Sequence, residues 1–554
     1  MQALMQDWSL TLDKILDHAA RWHGEREIVT RTATEAITRI TYTGLRRRAK
    51  MASSALLADA VKPGDRIATL AWNSDRHVEL WYGVIGIGAV LHTVNPRLFP
   101  EQIAYIINHA EDEILFADPS CAGLVEQILP SCPKLRRVIF LSDAASKPET
   151  SFASCDYEGW IDGQADDVAW GGFDETMAAG LCYTSGTTGN PKGVLYGHRS
   201  NYLHAMMTLQ PDVLNLSAQD SILLLVPMYH ANAWGVMYSA PMVGAKLVLP
   251  GQKLDAESIC DLIESEGVTY AAAVPTVWQM VIDYLKATGR KFSTLRRVTV
   301  GGAACPESII RTLGDDYGVR VIQGWGMTET SPCVTTAAPL APPVSGKDVT
   351  TPGYLRTQGR VACNLDLKIV SDAGERLPHD AATMGRLMVK GPTVARRYFR
   401  DNSDKTDPEG FFDTGDIAHI DPGGYVQIVD RAKDVIKSGG EWISSVDVEN
   451  IAVDHPKAEM CAVIGVPHPK WSERPLLIVQ LRAGATAEKR EFLEFLGGKI
   501  ARWWMPDDVL FVDRIPLGPT GKVDKKGIRE ELATRGYSLP LAGMSNASGH
   551  GVDE

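Results

Sequence analysis

"LCYTSGTTGNPKGVLYGHRS" fills residues 181–200, and its reading decides the fold. An apolar lead-in, Leu181-Cys182-Tyr183, gives way to the hydroxyls and glycines Thr184, Ser185, Gly186, Thr187, Thr188 and Gly189. Pro191-Lys192-Gly193 closes the turn, and Val194-Leu195-Tyr196 follows. The pattern predicts strand, exposed loop, strand. Glycines let backbone N–H groups face a ligand, hydroxyls add donors and Lys192 adds charge, which is the chemistry of a polyphosphate cradle. It is not a Walker A loop, which needs Gly-Lys-Ser/Thr opening a helix. Here Pro191 precedes the lysine and Gly193 follows it.

Outward from that loop, residues 10–140 alternate helix-like stretches (45–57, 100–110) with short apolar runs (66–72, 113–117, 137–141). The alternation indicates an α/β region with largely parallel sheets. The longest apolar run, "LWYGVIGIGAVL" at 80–91, reads as a buried helix; it is too short for a bilayer, which takes about 20 residues. After Leu181 the theme resumes, ending with "LRRVTVGGAACP", a strand, a Gly-rich turn and a helix from near Pro306. Residues 335–355 are rich in Pro, Thr and Ala and read as loop, and a β-rich segment follows. "DRAKDVIKSGGEWISSVDVEN" at 430–450 reads as a boundary: charged turn, strand, Gly pair, and a helix opening at Ser444-Ser445. The tail from Tyr537 is small and polar, as frayed ends are.

The whole chain sets bounds. With 554 residues, 45% hydrophobic and 22% charged, it is globular and too long for one core. A net charge of −12 argues against a nucleic-acid binder. Nine cysteines without a CxxC pair suggest reduced thiols, and the N-terminal 27 residues carry charge throughout, unlike a signal peptide. A cytoplasmic protein without an integral membrane segment is expected.

The order YTSGTTGNPKG resembles the AMP-binding motif of the adenylate-forming superfamily, which holds acyl-CoA synthetases, luciferases and peptide-synthetase adenylation domains. Six further stations follow in order: "VPMYHANAW" (226–234), "GGAACP" (301–306), "QGWGMTETSP" (323–332), "YFRDNSDKT…GFFDTGDIAHID", "DRAKDVIKSGGEWISS" and "IPLGPTGKVDKKGIR". The resemblance covers nearly the whole chain, and most closely evokes bacterial medium- and long-chain fatty acyl-CoA synthetases. One departure is Trp325, where the family more often has Tyr; the larger ring still offers a face to adenine, a change of fit more than of chemistry.

The resemblance implies an α/β fold: a large N-terminal domain (1–430) of parallel-sheet subdomains plus a β-barrel-like one, a hinge (431–434), a small mobile α+β domain (435–535) and a flexible tail (536–554). It implies ATP, Mg²⁺ and coenzyme A. Nucleotide contacts are expected from Thr184, Ser185, Gly186, Thr187, Thr188, Gly189, Lys192, Gly302, Ala303, Gln323, Gly324, Trp325, Gly326, Met327 and Thr328. Asp416 matches the ribose ligand, and Arg431, Lys433, Gly439, Gly440 and Trp442 complete that set. Thr184 and Glu329 are the expected metal ligands. Lys522, Lys437, His230 and Glu329 are the catalytic candidates. The acid would lie against His230, Ala231, Trp234, Gly235, Ala303 and Pro332. Analogy alone suggests a homodimer.

The chemistry has its own logic. A carboxylate is a poor electrophile, and coupling it to AMP gives it a leaving group. The step brings two anions together, so positioning and charge neutralisation should dominate. Lys522 is placed to bridge the carboxylate and the α-phosphate, and Lys192 with the 184–189 loop to hold pyrophosphate. A thiol then attacks the anhydride; near pKa ~8.5, a few per cent is thiolate at neutral pH, so no strong base is obligatory. In the family, rotation of the small domain withdraws the lysine matching Lys522 and presents the "KSGGEW" face. Trp234, Gly235, Val236, Met237, Ala303, Ala304, Pro332 and Val334 are without a carboxylate to pair an amino group, which disfavours amino acids. In the resembling group a tryptophan matching Trp234 is thought to gate the acyl tunnel. A medium- or long-chain fatty acid is the first expectation; a short thioether acid such as 3-methylmercaptopropionate, or an aryl acid, is the alternative.

Overall fold

A computed structural model describes residues 4–184, 190–339, 353–438, 441–518, 522–535 and 537. The expected contacts Ser185, Gly186, Thr187, Thr188, Gly189, Gly439 and Gly440 lie outside the described residues. So do most of the 335–355 loop and the tail beyond Tyr537.

The parallel-sheet expectation holds for residues 66–183. Seven strands run in the order 155–156, 137–140, 114–117, 66–70, 90–93, 178–183, 193–197, all neighbours parallel except the last pair. Helices Asp75–Gly86 and Pro100–Ala110 make the crossovers that parallel strands require. Covered on both faces, strands Val90–Thr93 and Ile114–Ala117 are buried throughout. The last pair, Ala178–Tyr183 and Gly193–Gly197, is the antiparallel hairpin that carries the glycine-threonine loop at its tip.

The run 80–91 is not one helix. Its helix ends at Gly86, Gly88 turns the chain at φ +75°, and a strand starts at Val90. Helix and strand are both buried on all sides, so no change of hydrophobic period marked the break.

A second sheet follows one open path of thirteen strands. Its seam is the strand Arg320–Gly326. Residues 320–323 pair parallel with Arg297–Val300, whereas 324–326 pair antiparallel with Cys333–Thr336, with a register shift at Trp325/Gly326. Among the described residues, the strands of the expected barrel-like subdomain continue the parallel sheet antiparallel, out to Asp366–Val370. The cause is non-local: one strand changes partner type halfway, which local propensity does not encode.

The small lobe has a five-stranded sheet (436–438, 441–443, 458–468, 472–481, 508–512). Ile436, Val448, Val463, Leu477 and Phe492 form a core of its own. Helix Ser445–Ala452 starts where Ser444 accepts a hydrogen bond from Asp447 N–H, the N-cap that the serine pair announced. Arg431, expected in the hinge, instead ends the large-lobe strand Tyr425–Arg431, opposite Asp416. Residues 432–435 alone link it to the strand from Ile436.

Candidate active site

A cleft of about 750 Å³ lies between the lobes. Its inner end is formed by Gly302, Ala303, Trp325, Asp416, Arg431 and Lys522, and its outer end by Gln279 and Asp283 of the large lobe and Asn450, Asp454 and Arg482 of the small one.

Each inner residue is set by its element. Gly302 follows strand Arg297–Val300 at φ +82°, a left-handed position that favours glycine. A Cβ there would stand 3.7 Å from Lys522 Cε and 3.1 Å from Val274. Lys522 ends a turn closed by Gly518 N–H on its carbonyl (2.7 Å), two residues before Asp524 caps helix Lys525–Thr534. The lysine is exposed to the cleft yet crowded by protein atoms. That desolvation, with Arg431 beside it, pulls its pKa down to about 8, while Asp416 and Glu329 pull the other way.

Asp416 is buried in strand Phe412–Ile420. Arg431 Nε lies 2.9 Å from its Oδ1, and Trp325 Nε1 donates to its Oδ2 at 2.9 Å. Burial raises its pKa, and Arg431, the Trp325 hydrogen bond and Lys522 oppose that rise. Half-buried His230 is lowered to about 4 by desolvation and then by the charge of Lys522, so it is neutral near pH 7. It can orient a carboxylate by hydrogen bonding but brings no positive charge to it.

At the hairpin mouth Thr184 N–H donates to Lys192 O (2.9 Å) and Lys192 N–H to Thr184 Oγ1 (3.3 Å). Buried Glu329 accepts a hydrogen bond from Tyr398 Oη at 2.7 Å, and Lys192 Nζ sits 4.9 Å over the Tyr398 ring. Ala395 N–H donates to Glu329 O and Phe399 N–H to Gly193 O, so the 395–399 segment straps the hairpin to the glutamate. Tyr398 was missed; the only signal was its place in "YFRDNSDKT", quoted there for the downstream aspartate.

The acyl-side residues form a bent segment. Ala231, Ala233 and Trp234 have φ of 44°, 49° and 55°, and Gly235 follows at 79°. Left-handed backbone at alanine and tryptophan costs energy, and such positions cluster at functional sites. A Cβ on Gly301 would meet the Trp234 ring at 3.0 Å, and one on Gly235 would meet the His204 ring at 2.6 Å.

The structure thus gathers Gly302, Ala303, Gly324, Trp325, Gly326, Asp416, Arg431, Lys433 and Lys522 around one cleft. Half-buried Met327 follows the Trp325 strand and Thr328 opens a short 3-10 turn, with Tyr196 Oη donating to Thr328 O (2.7 Å). Pro332 is buried behind them, its carbonyl accepting from Met327 N–H. Gln323 has partners of its own. It is buried, its Oε1 accepts from Cys305 N–H and its Nε2 donates to Thr357 O, so its amide braces the turn. Lys437 and Trp442 stand apart on the 436–443 hairpin, the ammonium 6.0 Å from the indole, whose ring packs against the Ile417, Val429 and Val435 cluster.

The AMP-binding enzyme family matches residues 16–399, and the AMP-binding enzyme C-terminal domain matches 447–522. A 3-methylmercaptopropionyl-CoA ligase of Ruegeria lacuscaerulensis is 46% identical over 96% of this chain and 99% of its own length. A medium-chain-fatty-acid–CoA ligase of Ectopseudomonas oleovorans is 47% identical over 94% of this chain and 96% of its own. The crystal structure of the anthranilate CoA ligase AuaEII with anthranoyl-AMP superposes with a TM-score of 0.86 at 24% identity, covering 97% of this chain and all of that one.

Proposed function

The chain belongs to the AMP-binding enzyme family and is an acyl-CoA ligase, and from that premise we propose how its residues perform the reaction and on which acid. A carboxylic acid and ATP give acyl-adenylate and pyrophosphate, and CoA then gives acyl-CoA and AMP. The observation that carries the assignment of roles is Lys522, delivered by the small lobe into the cleft beside Asp416, Arg431, Gly302 and His230.

ATP enters with its base against Trp325 and its ribose hydroxyls on Asp416. Lys192, with the hairpin tip, holds the β- and γ-phosphates. The ammonium of Lys522 lies between the acid's carboxylate and the α-phosphate, lowering the repulsion that opposes attack. Neutral His230 orients the carboxylate. The carboxylate oxygen bonds to the α-phosphorus, and the bond to the bridging oxygen of pyrophosphate breaks. The described residues include no cluster of three or more His, Cys, Asp or Glu that could cage a metal. A Mg²⁺ fits what is present: Glu329 and Thr184 are hard oxygen donors, and this ion takes its remaining ligands from phosphate and water. When bound, it supplies charge neutralisation on the phosphates.

For the acid, a medium-chain fatty acid is the reading we place first. The lining of this region is apolar, and a relative of similar length bears that activity in its name. One observation favours the shorter thioether acid: the Trp234 ring is packed on Gly301-Gly302, so a long chain requires the indole to swing. A panel of straight-chain acids, 3-methylmercaptopropionate and benzoates, read by pyrophosphate release and then CoA-dependent AMP, separates the two. Release without an acid, or ADP as product, would reject the mechanism. No helix among the described residues is long and apolar enough to cross a membrane.

A further inference from the structure

Trp325 was read from sequence as a larger face for adenine. Its indole does something a plain face does not. The Nε1–H donates to Asp416 Oδ2 (2.9 Å), while Arg431 Nε stands 2.9 Å from Oδ1 as an ion pair. Asp416 is 2% exposed, and its backbone N–H is tied to Thr414 Oγ1 (3.1 Å). Arg431 is itself fixed by Nη1 on Thr414 O (3.2 Å). The carboxylate is thus held by the indole donor on one oxygen and by the guanidinium charge beside the other. An ionised carboxylate offers about four lone-pair sites, so each oxygen keeps at least one for a ligand, the two a fixed distance apart. A vicinal diol supplies two such donors.

We propose that Trp325 is a specificity-determining positioning residue: its indole N–H aligns Asp416 for the 2′,3′-diol of the nucleotide while its ring carries the base. This inference rests on the adenylating reading above. Recognition of base and sugar is then coupled through one side chain, since a shift of the ring under the base moves the carboxylate under the ribose. Phenylalanine keeps an aromatic face and loses the donor. Tyrosine carries its hydroxyl at the far end of the ring, not on its flank.

Trp325→Phe and Trp325→Tyr test this in the full chain with a saturating accepted acid. Hydrogen bonds to charged groups are the strong ones, so KM for ATP should rise about tenfold in both variants, with kcat within about twofold. KM for 2′-deoxy-ATP and 3′-deoxy-ATP should change much less, so the preference for the full diol falls. The acid limb of kcat/KM for ATP should also move to higher pH, because the indole bond helps keep Asp416 ionised. Equal losses for ATP and both deoxy analogues, with an unmoved acid limb, would show that Trp325 is a platform for the base alone. If neither variant folds, the wild type decides: 2′- and 3′-deoxy-ATP should each bind more weakly than ATP and with a shallower acid limb, and indifference to the diol defeats the proposal. Acyl-adenylate formation by the wild type is measured in the same series. Its absence rejects the enzymatic reading itself, whereas its presence with unaltered nucleotide preference rejects only the role of Trp325.

Discussion

Lys522 has to be protonated to sit between two anions, and its surroundings draw its pKa from 10.5 to about 8. A lowered lysine loses its charge as pH rises through that value. Pyrophosphate release at subsaturating ATP should therefore decline above about pH 8, whereas CoA acylation from supplied acyl-adenylate should not, because the thiol ionises over the same range. A release rate unchanged to about pH 10 would remove Lys522 from the role. Lys522→Ala should abolish adenylation and spare the second half-reaction; equal loss of both would mean a merely structural lysine. Tyr398→Phe removes only the hydroxyl on Glu329 and keeps a ring beneath Lys192. It should weaken ATP binding roughly tenfold, with a matching rise in the Mg²⁺ needed for ATP to protect the chain from heat. Unaltered protection would show that Glu329 is held without it. Among single residues, Thr184 and Lys192 exchange hydrogen bonds at the hairpin mouth, the kind of contact that local turn chemistry makes legible. The contacts of Gln323 were not legible, because its partners lie 18 and 34 residues away.

At the scale of elements, the strand Arg320–Gly326 decides the site. It enters from a parallel neighbour, leaves along an antiparallel one, and bulges between Trp325 and Gly326. That bulge re-aims the chain so that Trp325 reaches Asp416 on another strand. A Cβ on Gly326 would lie 1.7 Å from the Pro332 carbonyl oxygen. Gly326→Ala must push two strands apart, so a loss of about 2–4 kcal/mol of stability is expected, read by denaturant unfolding, together with weakened nucleotide binding. Stability within about 0.5 kcal/mol of wild type would mean the loop simply yields. The helices and most parallel strands were visible in the hydrophobic pattern. The continuity of the two half-sheets was not, nor was the break at Gly88, because both depend on what the segment meets.

Over the whole molecule, the question is what holds the small lobe with Lys522 in the cleft. Arg482 and Asp283 bridge the lobes at 3.8 Å, but both side chains are about half exposed (44% and 47%), and such pairs contribute about 0–1 kcal/mol. A cluster around Asp430 is stronger. This buried carboxylate lies one residue before the end of the large-lobe strand, accepts from Ser445 Oγ and lies 3.9 Å from Lys525, which also pairs with Glu449 at 2.8 Å. Ser444 Oγ donates to Val429 O beside it (2.8 Å). Because only residues 432–435 separate the lobes, rotation there would part Asp430 from every one of these small-lobe partners. Asp430→Ala should slow adenylation at least about tenfold more than thioesterification, while Arg482→Ala should leave both near wild type. Equal slowing of both steps by Asp430→Ala would mean that the cluster stabilises the lobes without favouring one arrangement.

The bent segment from Ala231 to Gly235 has a bearing on evolvability. Three residues that L-stereochemistry disfavours there, at about 1 kcal/mol each, act like a cocked trigger beneath the indole of Trp234. Glycine at Ala233 would uncock it: relief of strain is offset by a looser unfolded chain, so the melting temperature should barely move. Tolerance of acids of different length should widen. A shift in diet without a sacrifice of sturdiness would make this short bend the cheapest place for the enzyme to change what it consumes.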